Sequence, residues 1–421
     1  MKASLLIEKI NNQELNELLE DLYVDESLVD AQRKRYQGAL TKFIELYGDQ
    51  DIEIYSVPGR SEVCGNHTDH QNGEVLAAAI NLDMIGVVCR SESIKILSDD
   101  YDIKEIRLDD LSKKDHEEES SEGLIRGVTY KFKELGYTIG GFKAFITSDV
   151  LQGSGLSSSA AFEVMIGTIL SGLYNNMEVD PVTIARVGQY AENVYFGKPC
   201  GLMDQCACSV GSLIHIDFKD DPIVEKIEVD FKEFKHSLCI VDVHASHADL
   251  TADYAGVPAD MKEVAHYLGK NVLREVDEED FYSRIPEIRE AINDRAVLRS
   301  IHLFNENKRV RTIVDALNNK NFTKFKEIVK ASGDSSFKYL QNIYSATDYK
   351  NQAVSLALAL SELILEDHGV CRIHGGGFAG TIQAFVEDEF VEVYKQKIER
   401  YFGEGSCHVL KIRKYGGKKV I

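Results

Sequence analysis

Apolar residues recur at helical spacing at Tyr36, Leu40, Phe43, Ile44 and Tyr47, and Gly48 follows them. That pattern predicts a helix ending at the glycine. A short strand is expected from Ile52 to Val57, then a dense polar loop from Pro58 to Asn72, and then a strand-rich, buried stretch from Glu74 to Cys89. The acidic run Asp115-His116-Glu117-Glu118-Glu119-Ser120-Ser121-Glu122 reads as an exposed loop. The helix expected after it carries Leu124, Ile125, Val128, Phe132 and Leu135 on one side and ends at Gly136. Phe142, Ala144 and Ile146 alternate with Lys143, Phe145 and Thr147, the period of two that marks a strand. This strand runs into Gly153-Ser154-Gly155-Leu156-Ser157-Ser158-Ser159-Ala160-Ala161, from which an apolar helix extends to about Tyr174.

A composition shift near Gly211–Asp221, after the strand-like Ser212-Leu213-Ile214-His215-Ile216, divides the chain into domains at residues 1–215 and 216–421. The second half holds several helices, Ala353–Glu366 among them. A strand, the loop His374-Gly375-Gly376-Gly377-Phe378-Ala379-Gly380, a strand over Thr381–Val386 and a helix over Phe390–Phe402 follow. Strands and helices mix without regular alternation, which predicts α+β layers. A length of 421 residues suits two or three domains rather than one core.

Charge narrows the classes. Lys plus Arg number 48 against 69 Asp plus Glu, a formal net charge of -21. That disfavours a broad nucleic-acid or anionic-membrane face, since either requires a basic patch. No window approaches 18 uncharged apolar residues, so no transmembrane helix is expected. The first residues, Met1 to Glu8, meet a charge after three apolar positions, too short a run for a signal-peptide core. Eight scattered cysteines with no C-x-x-C pair read as reduced thiols and place the protein in the cytoplasm.

Four segments carry candidate chemistry. The strand–loop–helix at 153–161 offers two glycines for close backbone approach, a helix start with unpaired N–H groups and three serine hydroxyls, which suits a polyphosphate. A helix capped by Ser157 is the simpler account of any one G-x-G, but three serines directly after G-x-G-L are more than a cap needs. The second glycine loop, Gly375 to Gly380, fits G-x-G-x-x-G letter for letter. A dinucleotide site needs a helix directly after it, and Thr381-Ile382-Gln383-Ala384-Phe385-Val386 reads as strand. The loop is equally explained as a tight hairpin-like turn. Pro58 to His70 packs Arg60, His67, His70, Asn66 and Asp69 between glycines, groups able to read a polyol or simply to sit in solvent. In Ala191 to Gln205, Asp204 lies between Leu202-Met203 and Cys206-Ala207-Cys208. It is therefore expected to be partly buried, whether as a cap, a metal ligand or a functional carboxylate.

Taken together and in this order, the four segments resemble the galactokinase branch of the GHMP kinases. The resemblance implies a two-domain GHMP-kinase-like fold with the active site between the domains. The first domain would carry the sugar signature, the phosphate loop and the catalytic Asp, and the second the third glycine loop. It implies ATP-dependent phosphorylation of a sugar, at the anomeric hydroxyl if the sugar is galactose, giving galactose 1-phosphate. Carried over by position, Asp204 is the catalytic carboxylate with Arg60 beside it. Gly153, Ser154, Gly155, Leu156, Ser157, Ser158, Ser159 and Ala160 cradle the triphosphate, and Ser98 lies toward the nucleotide base. Ser159 and Glu192 hold Mg²⁺, while Asn66, His67, Asp69 and Tyr254 face the sugar.

Three positions depart from the family pattern: Asn66 where Glu is usual, His70 where Tyr is usual, and Ala255-Gly256-Val257-Pro258 after Tyr254. All lie on the sugar side. They leave open a kinase for a related sugar altered at C6. A sugar- and ATP-binding regulator without catalysis is the other reading, and the matching Arg60, Ser159, Glu192 and Asp204 favour the enzyme over it. Nucleic acid and membrane are not expected partners; protein partners are not readable from the sequence.

Overall fold

The computed structural model describes residues 1–98, 103–151, 155–198, 200–229, 231–244, 250–378 and 380–421. Two sheets organise them. The first contains β1 (Glu53–Cys64), β2 (Glu74–Ser91), β3 (Lys95–Ser98), β4 (Gly141–Ser148), β5 (Leu213–Asp217) and β6 (Ile223–Ile227). The second contains β7 (His236–Asp242), β8 (Gly369–Ile373), β9 (Thr381–Glu387) and β10 (Cys407–Leu410) in the order β10-β7-β9-β8. The chain then returns to the first sheet as β11 (Lys418–Lys419), which pairs with β1. The division expected between residues 215 and 216 thus falls inside β5, and the first sheet takes strands from both ends of the chain.

Strand β2 explains why its sequence is apolar without clean alternation. It pairs with β1, β4 and β5 and is covered on both faces. Ile85, Val87 and Cys89 pack with Ile54 and Phe145 against the N-terminal helices, which contribute Leu6, Leu22, Tyr36 and Phe43. Met84 and Val88 face the other way with Tyr55, Val57 and Ile146, against the helices Ser121–Glu134 and Ser158–Asn175. A period of two is visible only when one face meets water. A further core joins the sheets: Val63, Leu76, Ala78 and Ile80 pack with Leu238, Ile240, Val310, Phe325 and Phe385.

The helix expected before Gly48 runs Val29–Tyr47, and its Arg35 reaches the fully buried Asp83, 2.6 Å away, which also binds Arg413 at 3.0 Å. The two ends of the chain are thereby held on one carboxylate. One expectation is corrected. The loop drawn from Pro58 is strand as far as Cys64, because β1 continues beside β2 with Arg60 opposite Ala79 and Cys64 opposite Leu76. A register shift between Pro58 and Arg60 keeps the pairing going, as a bulge does. His374 to Gly380 joins β8 to β9, which are antiparallel neighbours, so a strand follows this loop where a dinucleotide fold would need a helix.

Candidate active site

The bulge on β1 positions the site. A Cβ on Gly59 would stand 3.0 Å from the Leu156 carbonyl and 3.0 Å from Val150, so the bare glycine lets the 155–157 turn lie directly on the strand. The Arg60 N–H donates to the Leu156 carbonyl at 3.2 Å. Arg60, almost fully buried, then presents its fork to Asp204 at the first turn of the helix Met203–Val210. Nε donates to Oδ1 and NH2 to Oδ2, both at 2.7 Å. The remaining NH1 donates to the Gly155 carbonyl, and the Ser157 hydroxyl donates to Asp204 Oδ2.

Burial works against the charge of Asp204, but the Arg60 guanidinium and the Ser157 hydroxyl outweigh it and hold the carboxyl below its usual range. The side chain stays 32% exposed, so one edge remains open to a reactant. The sequence offers Ser157 as a helix cap or phosphate ligand. It makes no side-chain cap bond and sits at φ 59°, with its hydroxyl committed to the carboxylate. Gly155 has φ +72° and lies against His374 and Thr381, each 3.3 Å from where its Cβ would stand. The 153–161 and 374–380 glycine loops therefore meet beside the Arg60–Asp204 pair. Ser158 and Ser159 open the helix Ser158–Asn175, while Leu156 and Ala160 are buried in the core. Gly153 and Ser154 lie outside the described residues.

The signature residues meet the 374–380 loop from the other side. His67 Nε2 is 2.9 Å from the Gly376 carbonyl, and the Tyr254 hydroxyl donates to the Gly377 carbonyl at 2.7 Å. Burial and then the neighbouring His70 push the His67 imidazole down to about 4, so it is neutral at pH 7. The Asp69 carboxylate lies against Gly201, 1.9 Å from where a Cβ would stand, three residues before Asp204. Asn66, expected toward the sugar, is fully buried. Its Nδ2 donates to Gly375 O at 2.7 Å and Glu62 Oε1 at 3.0 Å, and its Oδ1 accepts from Asn342 at 2.8 Å and Ser336 at 3.2 Å. An amide has two donors and two acceptor lone pairs, and all four are committed within the protein.

Glu192 is buried within the π-helical turn Ala191–Phe196. Its carboxylate accepts from Gln205 Nε2 at 3.0 Å, and the Lys198 ammonium is 4.0 Å away. Ser98 ends β3 opposite Ile146 of β4, at the sheet end from which the chain proceeds to the phosphate loop. Two buried groups escaped the sequence reading, Glu163 and Gln205, since neither stands in a spacing that announces chemistry. A cavity of about 700 Å³ lies elsewhere, around Glu17, Asp21, Glu228 and Lys411, and none of the site residues lines it.

Comparison with known proteins agrees with this geometry. Residues 123–212 match the family described as GHMP kinases N terminal domain, and residues 41–90 match the galactokinase galactose-binding signature. A galactokinase from Actinobacillus pleuropneumoniae serotype 3 is 32% identical over 85% of this chain and 91% of its own length. One from Clostridium acetobutylicum is 29% identical over 90% and 97%. The crystal structure of Lactococcus lactis galactokinase complexed with galactose superposes with a TM-score of 0.76 at 25% identity, covering 90% of this chain and 98% of that one. Methanococcus jannaschii mevalonate kinase shares the fold at a TM-score of 0.61 and 16% identity, over 86% and 98%. With a fold, an ordered set of motifs and full-length relatives in agreement, the chain belongs to the galactokinase branch of the GHMP kinases.

Proposed function

We propose that this protein is a galactokinase, a phosphotransferase that moves the γ-phosphoryl group of ATP to the anomeric hydroxyl of galactose. The observation that carries the reading is the two-bond Arg60–Asp204 pair, set against the 155–157 turn and left open on one edge. The exposed edge of Asp204 accepts the hydrogen bond of the sugar hydroxyl and orients its oxygen toward the phosphorus. A carboxylate held below its usual range is a weak base, and a loose phosphoryl-transfer transition state asks little of one. Arg60 keeps Asp204 ionised and adds positive charge where the equatorial oxygens gain negative charge. Backbone N–H groups at the start of the helix Ser158–Asn175, with its positive dipole end, hold the phosphates. His67, Asp69 and Tyr254 line the sugar side, and Ser98 the base side.

Ser159 and Glu192 fit Mg²⁺, a hard cation that takes oxygen donors. Glu192 is a buried carboxyl group whose nearest ion-pair partner among the described residues, the Lys198 ammonium, is 4.0 Å away. Bound there with the nucleotide, the ion would neutralise charge on the β- and γ-phosphates. The eight unpaired cysteines, all but Cys200 buried, suit a reducing cytoplasm.

The test is sugar-dependent ADP release with Mg-ATP and galactose, its 6-deoxy analogue, N-acetylgalactosamine and glucose. Galactose should give the highest kcat/KM, and Asp204→Asn, which loses the charged acceptor that aligns the sugar hydroxyl, should lower kcat by on the order of 10²-fold. If no sugar elicits ADP release, the kinase reading falls and a binding regulator replaces it. A preference for another hexose would retain the chemistry and change the substrate.

A further inference from the structure

Ser159 and Glu163 stand four residues apart in one helix, Ser158–Asn175, and so share a face of it. Glu163 is fully buried, one turn below Ser159. Gln205, also fully buried, follows Asp204 directly. Its single amide nitrogen donates to Glu163 Oε2 at 3.0 Å and to Glu192 Oε2 at 3.0 Å. Among the described residues, Glu163 Oε1 and Gln205 Oε1 are buried without a hydrogen-bond partner. The cluster also needs a bare backbone beside it. A Cβ on Gly188 would stand 3.1 Å from Glu163 Oε2 and 3.2 Å from Gln205 Cγ.

Packing alone is a poor account of this arrangement. Two buried carboxyl groups converging on one nitrogen cannot both carry charge without cost, and apolar side chains of similar volume would fill the space more favourably. Buried polar groups that keep unpaired atoms call for an explanation. The geometry supplies one, because the amide ties the side chain of Glu192 to the helix face that carries Ser159.

We propose that Gln205 is a positioning residue for the metal, fixing the Glu192 carboxylate toward the Ser159 hydroxyl by anchoring it to Glu163. Adjacent residues on one helical turn then set the two halves of the site. Asp204 orients the sugar hydroxyl, and Gln205 orients the acidic metal ligand. This inference rests on the reading that Ser159 and Glu192 hold Mg²⁺.

The experiment measures Mn²⁺ binding to the protein–ADP complex by electron paramagnetic resonance, beside galactose binding by calorimetry and the melting temperature. Gln205→Met keeps the length of the side chain and removes the amide. It should weaken Mn²⁺ binding roughly 10–100-fold, the usual effect of losing a group that orients a ligand, with galactose binding changed far less. Gln205→Asn withdraws the amide by one methylene and should weaken Mn²⁺ in the same direction, which serves if Gln205→Met does not fold. Glu163→Gln retains an acceptor oxygen for the amide and should bind Mn²⁺ nearly as the parent does, whereas Glu163→Leu should not. Glu192→Gln separates the two claims. If it weakens Mn²⁺ and the folded Gln205 variants do not, the positioning role is overturned. If Glu192→Gln itself leaves Mn²⁺ binding unchanged, the metal assignment fails and the inference falls with it.

Discussion

Asn66→Asp removes two buried donors while preserving shape and both acceptor positions. In the parent protein Nδ2 lies 2.7 Å from Gly375 O and 3.0 Å from Glu62 Oε1. After the substitution both contacts become oxygen facing oxygen, in a site with no exposure. Leaving the Gly375 carbonyl unpaired costs about 1–3 kcal/mol; Glu62 Oε1 keeps its bond from Arg372 at 3.2 Å but now faces a buried anion, an unfavourable contact of similar size, so the two together cost about 2–6 kcal/mol. Where in that range the protein falls depends on Glu62. Burial pushes its carboxyl up to about 7, even though the Arg372 guanidinium at 3.2 Å opposes the shift. A proton on Glu62 restores one of the two bonds to the new carboxylate, and a second nearby anion raises the affinity for that proton. A raised carboxyl pKa in the folded state gives stability that is full at low pH and lost as pH rises through it. The cost should therefore be about 2 kcal/mol at pH 5.5 and about 5 kcal/mol at pH 8.5. At roughly 2 °C per kcal/mol for a large chain, the melting temperature should drop by about 4 °C and about 10 °C respectively. Scanning fluorimetry of both proteins at the two pH values measures this. An equal drop at both, or a variant within about 1 °C of the parent at pH 8.5, would refute the argument that Asn66 is a fully committed internal amide.

Two further expectations use the same contacts. Arg60→Lys keeps the charge but not the fork, losing one of two charge-assisted bonds to Asp204; at about 1.5–3 kcal/mol for that bond, kcat should fall roughly 10–100-fold while galactose binding by calorimetry holds. Glu74 is held down to about 2 from 4.5: burial opposes the shift, and His215, Arg311 and Arg274 outweigh it. A lowered pKa gives stability present above 4.5 and lost as pH falls toward about 2, here about 3 kcal/mol. Acid unfolding of Arg274→Ala, which removes the 2.8 Å bond, should accordingly show a shallower loss over that window.

Local rules made much of the scaffold readable. The alternation at Phe142–Thr147 did become β4, because each of its residues had a fixed neighbour on β2. The run at Tyr36–Tyr47 became a helix, because its apolar face had a sheet to cover. Pro58–Cys64 misled for a physical reason. Its polar residues are paired across the molecule, Arg60 with Asp204 and Glu62 with Arg372, and a buried ion pair looks like a solvated loop until both partners are known. The motifs located Arg60 and Asp204, but nothing in the spacing of Asn66, Ser336, Asn342 and Gly375 reveals that one amide joins all three other positions. The roles of Glu163 and Gln205 were hidden in the same way, since convergence on one nitrogen is a property of the fold alone.

The contacts of Arg60 explain how this site can be strong without a strong base. Its main-chain N–H holds Leu156, its NH1 holds Gly155, and its Nε and NH2 hold Asp204. On the proposed reading, one residue therefore fixes both the turn that would receive the phosphates and the carboxylate that would receive the sugar. The turn needs such support: Ser157 is left-handed at φ 59°, a conformation that disfavours a residue with a Cβ. Its hydroxyl, bound to Asp204 Oδ2, opposes any relaxation of the turn. The same guanidinium that aligns Asp204 lowers its pKa, so alignment and basicity compete. Phosphoryl transfer through a loose transition state gains more from an in-line oxygen at the right distance than from early removal of its proton. A site that gives up basicity for a rigid three-way alignment is suited to that reaction. It would serve poorly for one that begins with deprotonation of a carbon acid, where base strength sets the rate.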